Sequence, residues 1–163
     1  MRDYYWIIPG LLAGRPGPRM LPWNLEALWE EGFRSIVSLI RADRASIEQA
    51  GFRHCYSPMM GAFTILPFWR RWLAQKMLPI VDFIAGELAA GRPTLVHCQM
   101  GKDRTGAVLA GYLVRYCGFS PQAAFERLRQ VNPRAMTAPG FKWMPRQFGS
   151  WGRREGVGCG ELE

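Results

Sequence analysis

Residues 97–106 read His97-Cys98-Gln99-Met100-Gly101-Lys102-Asp103-Arg104-Thr105-Gly106. These residue types at this spacing suit displacement at a phosphorus atom. Cys98 offers a sulfur nucleophile, and the planar fork of Arg104 can hold two oxygens of a phosphate at once. Gly101 and Gly106 allow close backbone approach and conformations closed to other residues. Thr105 can offer a hydroxyl to the sulfur, and His97 can fix the loop through a hydrogen bond to backbone. Gln99, Met100, Gly101, Lys102, Asp103 and Arg104 are the expected phosphate-binding residues, with Cys98, Arg104 and Asp103 as the expected catalytic set. A lone cysteine at the end of a buried strand is ordinarily core. Here five residues of the right kind fit one site. A nucleotide-binding lysine loop does not fit, because Asp103 follows Lys102 where that motif needs Ser or Thr.

The chemistry needs a strand leading in and a helix leading out. Residues 93–98 (PTLVHC) are apolar and β-branched, which predicts a central strand, and 105–117 (TGAVLAGYLVRYC) predict a buried helix ending near Gly118. The loop between them then lies at a helix N-terminus, where free N–H groups and the helix dipole attract an anion and favour a thiolate. Residues 35–40 (SIVSLI) and 53–57 (RHCYS) predict two more strands. Helices are predicted over 23–32 (WNLEALWEEG), 68–90 and 121–131, the second broken or kinked at Pro79 and the third opened by Ser120 and Pro121. Residues 140–151 (GFKWMPRQFGSW) predict a partly helical, basic-aromatic closing segment. Strands alternating with helices give an α/β fold with a short, mostly parallel central sheet flanked by helices.

The chain has 163 residues, 48% hydrophobic and 21% charged, with 21 Lys and Arg against 13 Asp and Glu. That suits one domain over residues 1–150 with a flexible tail at 151–163, whose last Leu-Glu reads as a cloning remnant. A net charge of +8 favours anionic partners. The four cysteines lack C-x-x-C pairing, and they are too few for a disulfide-stapled domain, so a reducing, cytoplasmic setting is expected. The apolar stretch at 4–14 is interrupted by Pro9 and glycines, and its basic start is only Arg2, so no export signal and no membrane insertion are expected.

The loop resembles the H-C-x-x-G-x-x-R-[ST]-G signature of the protein tyrosine phosphatase superfamily. Residues 5–14 (YWIIPGLLAG), the segment G-F-R-S-I-V-S-L at 32–39 and the helix pair after the loop resemble the small atypical dual-specificity phosphatases, a likeness covering roughly residues 4–150. It implies their fold, a phosphocysteine intermediate, no metal and no cofactor. The run G-K-D-R-T-G is also similar to the loop of bacterial tyrosine and lipid phosphatases and of myotubularin- and Sac-type phosphoinositide phosphatases.

One departure matters. Such phosphatases carry a general-acid Asp on a separate loop, and the matching stretch here, Ser57-Pro58-Met59-Met60-Gly61-Ala62-Phe63, has none. There is no Asp from 45 through 81, and the only Glu there is Glu48. The resemblance offers Asp103 as the substitute acid, with Asp43 the weaker candidate. The family's late water-positioning glutamine falls on Phe141, with Gln147 further along.

The leading expectation is a phosphatase acting on phosphotyrosine or dual-specificity protein substrates. A phospholipid, phosphoinositide or other small-molecule substrate is the alternative, since Lys102 adds charge for a second phosphate. A non-catalytic phosphate-binding module that has lost its acid is the third reading, and a sulfur- or arsenate-handling enzyme the fourth. A monomer is expected, and no nucleic-acid module is recognisable.

Overall fold

Neighbouring apolar residues in the expected strands bury on opposite faces, as a two-residue repeat requires. Ile36 and Leu95 join Ala13, Leu28, Phe33, Ile47 and Phe52 in one core, while Val37 and Val96 join Leu12 and the long helices in the other. A sheet buried on both faces is the signature of strands connected through helices. The computed structural model describes residues 3–162; Arg2 and Glu163, on which two of the terminal expectations rest, lie outside the described residues.

The elements run β1 (Tyr5–Ile8), β2 (Leu12–Arg15), α1 (Leu25–Glu30), β3 (Ser35–Ser38), α2 (Arg44–Gln49), β4 (Arg53–Tyr56), α3 (Pro67–Ala89), β5 (Thr94–His97), α4 (Arg104–Cys117), α5 (Pro121–Val131) and α6 (Met144–Gly149). They build a five-stranded sheet in the order β1-β2-β5-β3-β4. β2, β5, β3 and β4 are parallel, and β1 is an antiparallel edge. The α/β architecture with a mostly parallel sheet is as expected. β1 and β2 are additions: the stretch at 4–14 folds as a hairpin about Pro9-Gly10, with Gly10 at φ +75°. The sheet interior is thus β5, one residue short of Cys98.

α3 is one continuous helix through Pro79, so the break into two helices does not occur. Pro79 and Gln75, whose carbonyl would have accepted the missing N–H, both face solvent, so water can satisfy that carbonyl and no buried group is orphaned.

The closing residues, expected as a loose end, lie against α4 and β1. Buried Arg115 donates to Asp82 Oδ1 at 2.9 Å and to the Trp151 carbonyl at 2.9 Å. The Arg154 N–H bonds the Arg115 carbonyl at 2.6 Å, and Tyr112 Oη donates to the Val157 carbonyl at 3.0 Å. Cys117 and Cys159 are joined as a disulfide, leaving Cys55 and Cys98 as free thiols. Nothing in the spacing of the cysteines pointed to this pairing, because one partner sits on the segment read as unstructured.

One ionic cluster ties helix to sheet. Glu87, 3% exposed on α3, accepts from Ser35 Oγ at 2.5 Å, Arg53 Nε at 3.0 Å and Arg92 Nε at 2.6 Å. Burial opposes its charge, but the Arg92, Ser35 and Arg53 donors outweigh it and hold the carboxyl at about 2. A depressed folded pKa means that this stabilisation is complete above the ordinary glutamate value of 4.5 and drains away as pH falls towards 2. Glu87→Ala, which leaves the buried Ser35 hydroxyl unpaired while Arg53 and Arg92 stay partly solvated, should cost about 1–3 kcal/mol in denaturant unfolding. In Glu87→Gln the part of the acid destabilisation between these two pH values that belongs to Glu87 should vanish.

Candidate active site

β5 ends at His97 and α4 begins at Arg104, so residues 98–103 turn tightly over the N-terminus of α4, which no side chain caps. Cys98 lies at the base of this turn, 2% exposed. The loop's carbonyls are drawn outwards. Gln99 O accepts the Gly17 N–H at 2.9 Å, Gly101 O accepts Tyr5 Oη at 2.6 Å, and Lys102 O accepts the Met136 N–H at 3.0 Å. The N–H groups of residues 99–104 donate to no acceptor among the described residues. Turning the carbonyls out leaves the amides as a ring of free donors, an anion-binding concavity in which the helix dipole adds its own positive end.

Small residues make this geometry possible. Gly101 has φ +70°, and a Cβ there would overlap the backbone carbonyl of Arg15. A Cβ on Gly17 would stand 2.6 Å from the Cys98 carbonyl oxygen. The phosphate loop is therefore pressed against the end of β2 with no room for a side chain between them.

Arg104 Nη1 donates to the Met59 carbonyl at 2.8 Å, and among the described residues no carboxylate pairs with it. Its stem lies over Gly61, where an added Cβ would stand 3.0 Å from Cγ and Cδ and 3.2 Å from Phe141 Cζ. Phe141, at the position expected for a water-positioning glutamine, is buried and supplies an apolar wall. The 57–63 stretch thus packs on Arg104, as its place in the motif requires, without bringing a carboxylate.

Lys102 and Asp103 hold each other. Asp103 Oδ2 accepts from Lys102 Nζ at 2.6 Å, and Oδ1 accepts the Ala138 N–H at 3.1 Å. Lys102 Nζ also donates to Thr137 Oγ1 at 3.0 Å. Both oxygens of Asp103 are engaged with the 137–138 turn and its own neighbour. Asp43 caps α2, accepting from the Ser46 hydroxyl at 2.6 Å and its N–H at 3.2 Å. Those bonds hold its carboxyl below the usual aspartate range, which ill suits an acid that must be protonated.

His97 is fully buried, with a hydrogen bond to the Cys98 backbone that favours its charged form and with Nε2 2.6 Å from Ser38 Oγ, which in turn is 2.8 Å from His54 Nε2. Burial pushes its pKa down to about 4, and the charges of Arg15 and His54 act in the same direction, so the ring is neutral at physiological pH. Thr105 is buried, and its hydroxyl has no partner among the described residues.

Two residues here escaped the sequence reading. Tyr5 tethers Gly101, and burial, foremost, raises its pKa, so the hydroxyl stays a donor. Arg15 is 1% exposed beside the loop; Nη2 donates to the Leu21 carbonyl at 2.9 Å, while Nε and Nη1 have no partner among the described residues. Burial lowers its pKa from the usual arginine value. Its backbone abuts Gly101 while its guanidinium lies over the Trp23 ring, 5.3 Å from the centroid. Neither carries a local motif, and only their membership of the 5–15 hairpin could have flagged them.

The model of the dual specificity phosphatase catalytic domain matches residues 30–150. This chain belongs to that family. Phosphatidylglycerophosphate phosphatase PTPMT1 of Arabidopsis thaliana is 28% identical over 85 residues, which cover 52% of this chain and 21% of that protein. Dual specificity phosphatase 28 of Homo sapiens is 40% identical over 69 residues, 42% of this chain and 39% of that protein. The matched stretches span well under half of both relatives. The crystal structure of PTPMT1 in complex with PI(5)P has a TM-score of 0.74 at 17% identity, covering 91% of this chain and 96% of that one, a likeness of fold.

Within this family's frame Gly101 is the loop position whose backbone leaves least room for a side chain. Gly101→Ala should lower phosphatase activity and the affinity for inorganic vanadate roughly 10²-fold or more, as when preorganised donors are lost, while far-UV circular dichroism stays unchanged.

Proposed function

We propose that this phosphatase domain hydrolyses phosphate monoesters through a phosphocysteine intermediate, with Cys98 as nucleophile and Arg104 as the phosphate clamp. The observation that carries the reading is the ring of free amides at 99–104 above a buried cysteine. The thiolate of Cys98 attacks phosphorus, the ester P–O bond breaks, and the leaving oxygen takes a proton. Water then attacks the phosphocysteine, releasing inorganic phosphate and restoring the thiolate. The amides of 99–104 and the fork of Arg104, freed from Met59 O, take up the charge on the equatorial oxygens. Thr105, its hydroxyl unpartnered and buried, serves the sulfur as it leaves, and neutral His97 braces β5 against β3 and so sets the direction of Cys98.

Membership of the family supports phosphotyrosine and other phosphoprotein substrates. A specific observation favours a second reading, a phospholipid monoester: the stretch on Arg104 continues into exposed apolar residues beginning with Met60. No helix among the described residues is long and apolar enough to cross a membrane, so a lipid substrate would be met at a surface.

Cys98→Ser should abolish aryl phosphate hydrolysis while vanadate still binds, because the amide ring is intact and only the nucleophile is weakened; turnover by the variant would remove Cys98 from the mechanism. Asp103 has two candidate duties, proton donor and clasp for the 137–138 turn, and the leaving group separates them. If Asp103 is the acid, Asp103→Asn should cost little on an activated nitrophenyl ester and about 10²-fold on phosphotyrosine or a lipid phosphate. A uniform loss across esters marks the clasp.

A further inference from the structure

Beside the phosphate loop the molecule exposes an apolar shelf with no obvious work in the chemistry. Met60, Phe63, Ile65, Leu66, Phe68 and Trp72 are each 41–67% exposed. Met60, Phe63, Phe68 and Trp72 line a groove of about 370 Å³ together with Trp69 and Leu73. Exposed apolar side chains scattered singly need no explanation, but a contiguous aromatic patch does.

The shelf is held in place. Thr64, its one polar residue between Met60 and Trp69, turns inwards and donates to the Pro139 carbonyl at 2.5 Å. Arg70 Nη1 reaches back to the carbonyls of Thr64 at 3.0 Å and Ile65 at 2.9 Å. Phe63 sits at φ +59°, a conformation that a bulky residue adopts only when its surroundings impose it. The backbone is thus fixed so that the polar group is inside and the aromatic groups are outside, the reverse of ordinary folding.

Its charge is equally one-sided. From Gln49 to Val81 the chain has no carboxylate, and Arg70, Arg71 and Lys76 stand among the aromatics. Lys76 Nζ lies 5.3 Å from the Trp72 ring and the Arg70 guanidinium 4.8 Å from the Trp143 ring. Protein partners are recognised through a polar rim of directed hydrogen bonds, and from Gly61 to Phe68 the exposed side chains offer none. Aromatic and aliphatic groups ringed by cations match an anionic lipid surface, apolar below and negative at the headgroups.

The shelf also begins at the site. Met59 O holds Arg104, Gly61 packs on its stem, and Met60 and Ala62, on either side of Gly61, line the groove. We propose that residues 60–72 form an interfacial docking surface that seats this protein on an anionic bilayer with the Cys98 loop facing the headgroups, so that the substrate is a phospholipid monoester presented at that surface. The substrate half rests on the phosphatase reading above; the docking half does not.

The test uses the full chain carrying Cys98→Ser, which binds without turning over. It is mixed with vesicles of phosphatidylcholine alone or of phosphatidylcholine with phosphatidylglycerol, and read by co-sedimentation and by quenching of Trp emission by acyl-chain-brominated lipid. The expected result is binding and quenching on the anionic vesicles and little on the neutral ones. Phe68→Ser with Trp72→Ala, or Arg71→Glu with Lys76→Glu, should each weaken vesicle binding at least about 10-fold, since two aromatic anchors or two reversed charges are worth more than one decade. In the Cys98 protein both double variants should keep their rate on a water-soluble aryl phosphate. The docking proposal is overturned by vesicle binding that ignores these substitutions, by anionic vesicles that do not quench, by self-association that depends on the same residues, or by Trp emission that responds to a phosphopeptide and not to vesicles. An equal loss of soluble-ester hydrolysis also overturns it, because the shelf would then be part of the site's scaffold. Vesicle binding by a protein inactive on every monoester would sink the phosphatase reading and leave docking standing; the converse result would do the opposite.

Discussion

Six consecutive backbone N–H groups, those of residues 99–104, without an acceptor among the described residues are an unstable arrangement unless something outside the loop enforces it, because a chain left to itself would fold its amides onto its own carbonyls. In this protein the enforcement is a set of hydrogen bonds to the carbonyls of the 98–103 turn, from Gly17 to Gln99, from Tyr5 to Gly101 and from Met136 to Lys102. Each tether comes from a different part of the chain. β1 and the end of β2 approach from one side and the segment between α5 and α6 from the other. The N-terminal hairpin, which adds an antiparallel edge to an otherwise parallel sheet, has this as its clearest purpose: it brings Tyr5 and Gly17 to the loop. The same constraint explains the glycines. Gly101 and Gly17 are the places where two backbones meet without a side chain between them.

Arg104 joins this rigid centre to a more adaptable rim. Its guanidinium rests on the Met59 carbonyl, a neutral acceptor that a phosphate oxygen can displace, since a charge-assisted bond to an anion is about twice as strong. If Arg104 clamps a phosphate as proposed, it gives up a bond to the 57–63 stretch, which continues into the apolar shelf. Gly61 and Phe141 leave the arginine stem a slot with little lateral freedom, so the change concerns the head of the side chain more than its stem.

The loop itself was the most legible part of the sequence, because the spacing of Cys98, Gly101, Arg104 and Thr105 expresses a local geometry: the end of one strand, a turn and the first turn of one helix. β3, β4, β5, α4 and α5 were legible for a similar reason, as apolar runs or capped helical periods. What could not be read depends on contacts distant in sequence. The hairpin at 5–15 looks apolar throughout, since β2 is buried on both faces, and so shows no alternation. The disulfide between Cys117 and Cys159 joins a helix end to a segment without periodicity. Pro79 kept its helix because its face is solvated, which residue identity alone does not disclose. Asp103 is the instructive case. Resemblance assigned it to the leaving group, and only the positions of Ala138 and Lys102 reveal that both its oxygens are in use.

That engagement links the substrate's charge to the supply of a proton. An alkyl leaving group, as in a lipid phosphate, needs protonation more than a phenolic one does, and the 57–63 stretch offers no carboxylate for it. Asp103 is the carboxylate within the phosphate loop, and what occupies its Oδ2 is Lys102, a flexible point charge on four carbons. A second anionic group near the loop, whether a further phosphate on the same headgroup or the field of an anionic surface, competes with Asp103 for that ammonium. Drawing Lys102 away breaks the bond to Oδ2 and leaves that oxygen without its partner. A soluble monoester of low charge exerts no such pull. If Asp103 serves as the acid, that competition ties the supply of its proton to the charge around the substrate.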